Sequence, residues 1–133
     1  MKTFIMIAGA PGSGKTTMAK ELIAMFGTGK HYEADQYFTD NNGKYIFRPE
    51  LLSEAHQWCQ TRAYESMLQS EPVVIVANCF TKQSQRVPYL RLARHYGYTV
   101  HFIHLTKHHN NIHGVPDYVI ERHIREFEPF QNM

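Results

Sequence analysis

Gly9-Ala10-Pro11-Gly12-Ser13-Gly14-Lys15-Thr16 decides how the rest of the chain is read. It fits G-x-x-x-x-G-K-[ST], a loop whose backbone N–H groups cradle phosphates. The flanks supply the context that this pattern requires. Ahead of it, Thr3-Phe4-Ile5-Met6-Ile7-Ala8 reads as a short buried strand. Behind it, Met18, Leu22, Met25 and Phe26 recur at helical spacing, and Gly27 supplies a stop. Glycines at 9, 12 and 14 allow backbone conformations and close approaches that a Cβ would block. Successive N–H groups turned inward form an anion nest, and a helix starting near Lys15 adds the positive end of its dipole. Gly9, Ala10, Pro11, Gly12, Ser13, Gly14, Lys15, Thr16 and Thr17 are therefore expected to hold the phosphates of a nucleoside triphosphate. Lys15 has the reach for the β- and γ-phosphates, and the Thr16 hydroxyl is the expected Mg²⁺ ligand.

The bulk properties set the frame. A chain of 133 residues, 43% hydrophobic and 20% charged, is expected to form one globular domain over 1–133. No apolar run approaches the length of a membrane span. Met1-Lys2-Thr3-Phe4 leads straight into the first strand, so no signal peptide is expected. Cys59 and Cys79 have no framework spacing, which fits a reducing, cytoplasmic setting. A net charge of +2 neither announces nor excludes a polyanionic substrate.

Strands and helices then alternate. His31 to Ala34 reads as a short second strand, leading into Asp35-Gln36-Tyr37-Phe38. Asn41-Asn42-Gly43 is a turn, and Lys44 to Phe47 is extended. Pro49 opens a helix running to about Gln69, with Leu51, Leu52, Ala55, Trp58, Cys59, Ala63 and Met67 on its apolar face. Val73 to Ala77 is an uninterrupted apolar run, the pattern of a strand covered on both faces of a parallel sheet. A helix to about Tyr96 follows, in which Pro88 is tolerable only within the first turn. Tyr98 to Leu105 is the fourth strand, residues 106–115 are a histidine-rich loop, and Pro116 opens a last helix with Val119, Ile120, His123, Ile124 and Phe127 on one face. This order predicts an α/β fold with a parallel sheet flanked by helices. Ligands in such sheets bind beyond the carboxyl ends of the strands. The phosphate loop, Asp35 and Asn78 each follow such an end and should share one rim.

From the residues alone, Asp35 is either a general base or a loop cap. Arg122 and Arg125 lie three apart on the last helix, either facing a phosphate or forming a solvated face. Lys107 is a weaker candidate. Arg48 sits near the loop where an acceptor could lie, and Arg91, Arg94 and His95 share a helix face that could track a phosphate backbone. For these, Lys82 and Arg86 a solvated surface is the default reading. His101 and His104 face opposite sides of a strand, so they are poor joint ligands. His108, His109 and His113 lack a cysteine partner at zinc spacing. Tyr32, Tyr37, Phe38, Tyr45 and Phe47 flank the Asp35 loop, with core packing as the default and stacking on a base as the alternative.

GAPGSGKT, EADQYF, GKYIF with the AHQWC helix, VVIVANCF and finally HGVP form an ordered set over nearly the whole chain. By that set the chain resembles the P-loop kinases of the polynucleotide-kinase type, including the phage 5′-polynucleotide kinase domain and short P-loop ATPase-like and zeta-toxin-like kinase domains. The resemblance implies a P-loop NTPase fold of four parallel strands in the kinase-type order, with the phosphate-loop strand beside the third strand. It implies ATP and Mg²⁺ as cofactors, Asp35 as the base for the acceptor hydroxyl, and an arginine from the last segment as a charge stabiliser. Two positions depart from the pattern. Asn78 stands where the family has an aspartate, and Asn110 where it has a lid arginine.

The resulting expectation is an ATP-dependent kinase acting on a hydroxyl, with a single-stranded nucleic-acid 5′-hydroxyl as the implied acceptor. A kinase for a nucleoside or nucleotide, and a noncatalytic nucleotide-binding module, stand beside it. Nothing in the residues indicates oligomeric state.

Overall fold

Strands Thr3–Gly9 (β1) and Val73–Asn78 (β3) are buried at every position and lie side by side. The structure, a computed structural model, describes residues 1–107 and 116–132. Between these strands come a helix at Lys15–Phe26 (α1), a strand at Lys30–Tyr32 (β2) and a helix at Leu52–Leu68 (α2). After β3 come a helix at Gln83–His95 (α3), a strand at Thr99–Leu105 (β4) and a helix at Asp117–Glu126 (α4). The four strands form one sheet in the order β2-β3-β1-β4, and every pairing is parallel. The phosphate-loop strand β1 thus sits beside β3, as expected, with Phe4 opposite Val74 and Ala8 opposite Asn78.

Both faces of the sheet are covered, which is why the two central strands carry unbroken apolar runs. On one face Phe4, Met6, Val74 and Val76 pack with Ala55, Cys59, Ala63 and Met67 of α2 and with Tyr89, Leu90 and Ala93 of α3. On the other, Ile5, Ile7, Val73 and Ile75 meet Ala19, Met18, Leu22 and Ile23 of α1. Gly27 ends α1 in the left-handed region at φ 71°, and its N–H bonds the Ile23 carbonyl at 2.9 Å.

Three local expectations change. First, β2 stops at Tyr32, and Ala34–Phe38 form a 3₁₀ turn instead of continuing the strand. The Gln36 side chain accepts the Glu33 N–H at 3.1 Å, which supports the turn locally. Second, Pro88 lies inside α3, beyond its first turn. Proline forfeits one helical hydrogen bond there. Arg86, Tyr89, Leu90 and Ala93 are buried on either side of it, so packing carries the helix through.

Third, Arg86 is no surface residue: it is fully buried. Its guanidinium donates to the carbonyls of Phe80, Thr81, Glu128 and Pro129 and to the Gln83 side chain, between 2.7 and 3.3 Å. It also lies over the rings of Phe102 and Phe127, 5.0 and 4.7 Å from their centroids. One side chain thus clamps the segment after α4 to the end of β3. Arg86→Ala would leave several buried carbonyls unpaired at a cost of about 1–3 kcal/mol each. A loss of at least about 3 kcal/mol in urea unfolding is the expected result, with Arg86→Lys recovering only part because lysine lacks the planar fork.

The other charged candidates behave as expected. Arg48, Lys82, Arg91 and Arg94 are exposed. His101 is exposed, whereas His104 stacks on Phe127 at 3.6 Å between centroids. Asn110, His108, His109 and His113 lie outside the described residues.

Candidate active site

The phosphate loop is shaped by its glycines. Gly12 and Gly14 have φ of 82° and 93°, where side chains with a Cβ are strained. At Gly9 a Cβ would collide with the Ser13 hydroxyl and stand 3.0 Å from the Leu105 carbonyl. Gly14 is the N-cap of α1 and has no side chain to bond the first N–H groups of the helix. Those donors are left for another acceptor. The Ser13 hydroxyl is buried and has no hydrogen-bond partner among the described residues. The Lys15 ammonium bonds the carbonyls of Gly9 and Ala10 at 2.9 and 3.0 Å, so its charge is held over the loop. Free N–H groups, an orphaned hydroxyl and a fixed cation are the donor set that a polyphosphate fits.

Thr16 follows, exposed at the head of α1. Its hydroxyl donates to Glu33, 2.7 Å from Oε2 and 2.9 Å from Oε1. Glu33 is the residue after β2 and is only 8% exposed. His31 Nε2 lies 2.6 Å from Glu33 Oε2. Burial alone would push this carboxyl up. The hydrogen bonds from His31 and Thr16 and the charges of His31 and Lys15 outweigh it and hold the group below its ordinary value of 4.5. Glu33 is therefore a carboxylate at neutral pH. Sequence reading missed it, because it was counted as a strand residue. Its signal was the pair His31 and Glu33, two apart and hence on one face of an extended segment that points at the rim.

Asn78 closes β3 and is buried. Its side-chain oxygen accepts the Ala34 N–H at 2.9 Å, and its amide faces the Cys59 sulfur at 3.7 Å. The amide is spent on fixing the backbone between Glu33 and Asp35. Asp35 itself is exposed, with the Tyr45 hydroxyl 3.5 Å from its Oδ1. The surrounding aromatics divide. Phe38 is core at 6% exposure, while Tyr45 and Phe47 are 53% and 47% exposed and stack on each other. Phe38 meets both of them edge-on, which fixes the exposed pair from below.

On the other side of the loop a cleft of about 610 Å³ is lined by Ser13, Gly14, Thr17, His104, Thr106 and Lys107, among others. Lys107 thus joins the loop in one cleft. Arg122 and Arg125 are exposed on α4, and Arg122 stands 3.5 Å from Glu126. Among the described residues neither forms a hydrogen bond or ion pair with the phosphate loop. The buried residue of this helix is His123, which meets the Thr81 hydroxyl at 3.1 Å and packs on His104 and Phe127. Among the described residues no group of three or more His, Cys, Asp or Glu is gathered to hold a metal. None of the described helices is long and apolar enough to cross a membrane.

A β2-β3-β1-β4 parallel sheet, with a glycine loop between β1 and a helix that it caps, defines a P-loop nucleotide-binding fold of the kinase type. The family model described as an AAA domain matches residues 4–113, and the chain belongs to that family. NEDD4-binding protein 2 of Homo sapiens is 31% identical over 137 residues, an alignment covering 95% of this chain and 8% of that protein. This chain therefore spans about a twelfth of that relative's length. Among solved structures, a chain of the Pnkp1/Rnl/Hen1 RNA repair complex superposes with a TM-score of 0.74 at 16% identity, covering 99% of this chain and 49% of that one. A gluconokinase from Sinorhizobium meliloti superposes with a TM-score of 0.61 at 16% identity, covering 96% and 75%. At these identities the structural likeness speaks to the fold. The resemblance to P-loop kinases of the polynucleotide-kinase type, read from the ordered motifs, holds at that level.

Proposed function

We propose that the protein is an ATP-dependent kinase that transfers the γ-phosphoryl group to a hydroxyl, with a nucleic-acid 5′-hydroxyl as its acceptor. The observation that carries this reading is the Thr16–Glu33 hydrogen bond. It ties the segment bearing Asp35 directly to the phosphate loop, so an acceptor at Asp35 lies on the rim that holds the phosphates.

Bound ATP with Mg²⁺ would supply the phosphoryl group and a cation that neutralises charge on the phosphates. The chain's own residues do the rest. The loop N–H groups of residues 9–17 and the buried Ser13 hydroxyl orient the phosphates, and Lys15 stabilises charge on the transferring group. Thr16 would hold the cation. Asp35 orients the acceptor hydroxyl and takes its proton. Arg122 and Arg125 are proposed as sources of positive charge at the γ-phosphate, reached from α4. The exposed Tyr45–Phe47 pair beside Asp35 offers a face on which an acceptor base stacks. That pair is what favours a nucleic acid over a sugar.

The departures at Asn78 and Asn110 are what would favour a noncatalytic module, and two observations at Asn78 weigh against it. Its amide positions Ala34, and a carboxylate is present nearby in Glu33. A kinase for a nucleoside or nucleotide is the remaining rival, since one base suffices for stacking. The test is transfer of label from γ-labelled ATP, with Mg²⁺, to a 5′-hydroxyl oligonucleotide or to a mixture of nucleosides. Label on the oligonucleotide is expected, with an apparent affinity that weakens steeply as salt rises, because bound counterions are released. Label confined to the nucleosides would move the acceptor to a small molecule. Transfer to neither, with ATP bound, would remove the kinase reading.

A further inference from the structure

Glu33 is assigned no catalytic step above, yet among the described residues it is the one Asp or Glu side chain that is buried. It is 8% exposed, accepts the Thr16 hydroxyl through both oxygens, and contacts His31 at 2.6 Å. A buried carboxylate is costly unless it is well paired. Here the burial is placed against Thr16, the loop hydroxyl to which the proposed function gives the cation. In P-loop proteins the loop Ser or Thr shares Mg²⁺ with an aspartate from another strand. The position after β3 carries Asn78, an amide already committed to the Ala34 N–H.

We propose that Glu33, at the end of β2, is the carboxylate that holds the divalent cation together with Thr16, in place of an acidic residue after β3. This rests on the reading of the loop as a nucleotide site. A hydroxyl has one hydrogen, and that of Thr16 is engaged by Glu33. Its lone pairs are thereby turned toward the exposed side, where a cation can take them. The Glu33 oxygens lie within 2.7–2.9 Å of the same hydroxyl, close enough to ligate that cation or accept from its bound water. Mg²⁺ takes oxygen ligands, keeps several waters and is commonly held by one or two carboxylates plus substrate phosphates. One carboxylate and one hydroxyl from the protein therefore suffice. His31 and the Asn78–Ala34 bond act as positioning groups, one on the carboxylate and one on the backbone beside it.

The proposal makes an opposed pair of predictions for Glu33→Gln. Glutamine retains the shape and can still accept from Thr16, but it carries no charge. ATP in EDTA should bind the variant as tightly as wild type or more tightly, since a negative charge near the phosphates is gone. ATP with Mg²⁺ should bind it at least about ten-fold more weakly than wild type. Mn²⁺ followed by electron paramagnetic resonance in the presence of ATP should show the same loss of bound metal. Glu33→Asp, which keeps the charge, should preserve part of the Mg²⁺ effect. Damage to the fold would weaken both forms of ATP together and lower the urea midpoint, so it would not produce opposed changes. An unchanged Mg²⁺ effect in Glu33→Gln would overturn the inference and leave the nucleotide reading intact. Equal loss with and without Mg²⁺ would also overturn it, by making Glu33 a structural residue. Failure of wild type to bind ATP in either condition would remove the nucleotide reading and this inference with it.

Discussion

Lys15→Ala is expected to reduce phosphoryl transfer by about 10²–10³ and to weaken ATP binding by about ten-fold, with little change in stability. The ammonium makes two bonds, to the carbonyls of Gly9 and Ala10, and both belong to the loop it covers. It packs into neither core cluster. On the proposed function, its removal takes a positive charge from the place where phosphate oxygens would accumulate charge, and little else. Lys15 is half-buried, and a charge partly shielded from water is worth more than one in bulk solvent, because the screening is weaker. Lys15→Arg is expected to recover little. A planar guanidinium is wider than an ammonium and cannot occupy the same point above two carbonyls. The measurement is calorimetric binding of ATP with and without Mg²⁺, paired with the labelled-transfer assay. Lysine loss should weaken both forms of ATP, whereas Glu33→Gln should weaken only the Mg²⁺ form. The two variants thus separate charge on the phosphates from charge on the cation.

The parts of the fold that rest on local pattern were open to reading. A glycine loop between an apolar run and a helical period specifies β1, the loop and α1 with hardly any help from the rest of the chain. The all-apolar Val73–Ala77 run likewise announces a strand covered on both sides, and in the structure every residue of β3 is buried. What escaped depends on long-range contacts. Arg86 was assigned to the surface because arginine usually is exposed. It is buried because residues 127–130, forty positions later, bring two carbonyls and a ring to it. Pro88 sits mid-helix because Tyr89 and Leu90 gain more from the core than one lost hydrogen bond costs. Glu33 was hidden by an error of two residues in the end of β2. A residue read as strand was in fact the first of a turn, and its carboxylate reached Thr16, seventeen positions back. The phosphate site was therefore legible as a motif, while the carboxylate beside it was legible only in three dimensions.

Asp35→Asn is expected to lower the rate of transfer by about 10²–10⁴ at saturating ATP and acceptor, equivalent to about 3–5 kcal/mol in the barrier. Binding of ATP should be unchanged. Asp35 is exposed and its closest side-chain partner is the Tyr45 hydroxyl at 3.5 Å, so the substitution disturbs no packing. Asparagine can still accept a hydrogen bond from that hydroxyl and from an acceptor. It cannot take a proton, so the loss reports proton transfer and not orientation. Tyr45→Phe supplies the control for the neighbour. It removes the 3.5 Å contact and keeps the ring that stacks on Phe47, and it should cost less than about ten-fold, since that contact is long for a hydrogen bond. The pre-steady-state rate in a single turnover is the quantity to measure, because slow product release would mask a change in chemistry. If Asp35→Asn transfers at the wild-type rate, the base is not Asp35. Glu33 is then the next carboxylate on the rim, and the Mg²⁺ dependence of ATP binding in Glu33→Gln decides its role. A base would leave that dependence untouched, and a cation ligand would weaken the Mg²⁺ form alone by about ten-fold or more. The two carboxylates lie two residues apart on one turn, but only Glu33 is pinned to the phosphate loop, and only Asp35 is open to an incoming hydroxyl. That asymmetry is the physical reason for assigning the cation to the first and the proton to the second.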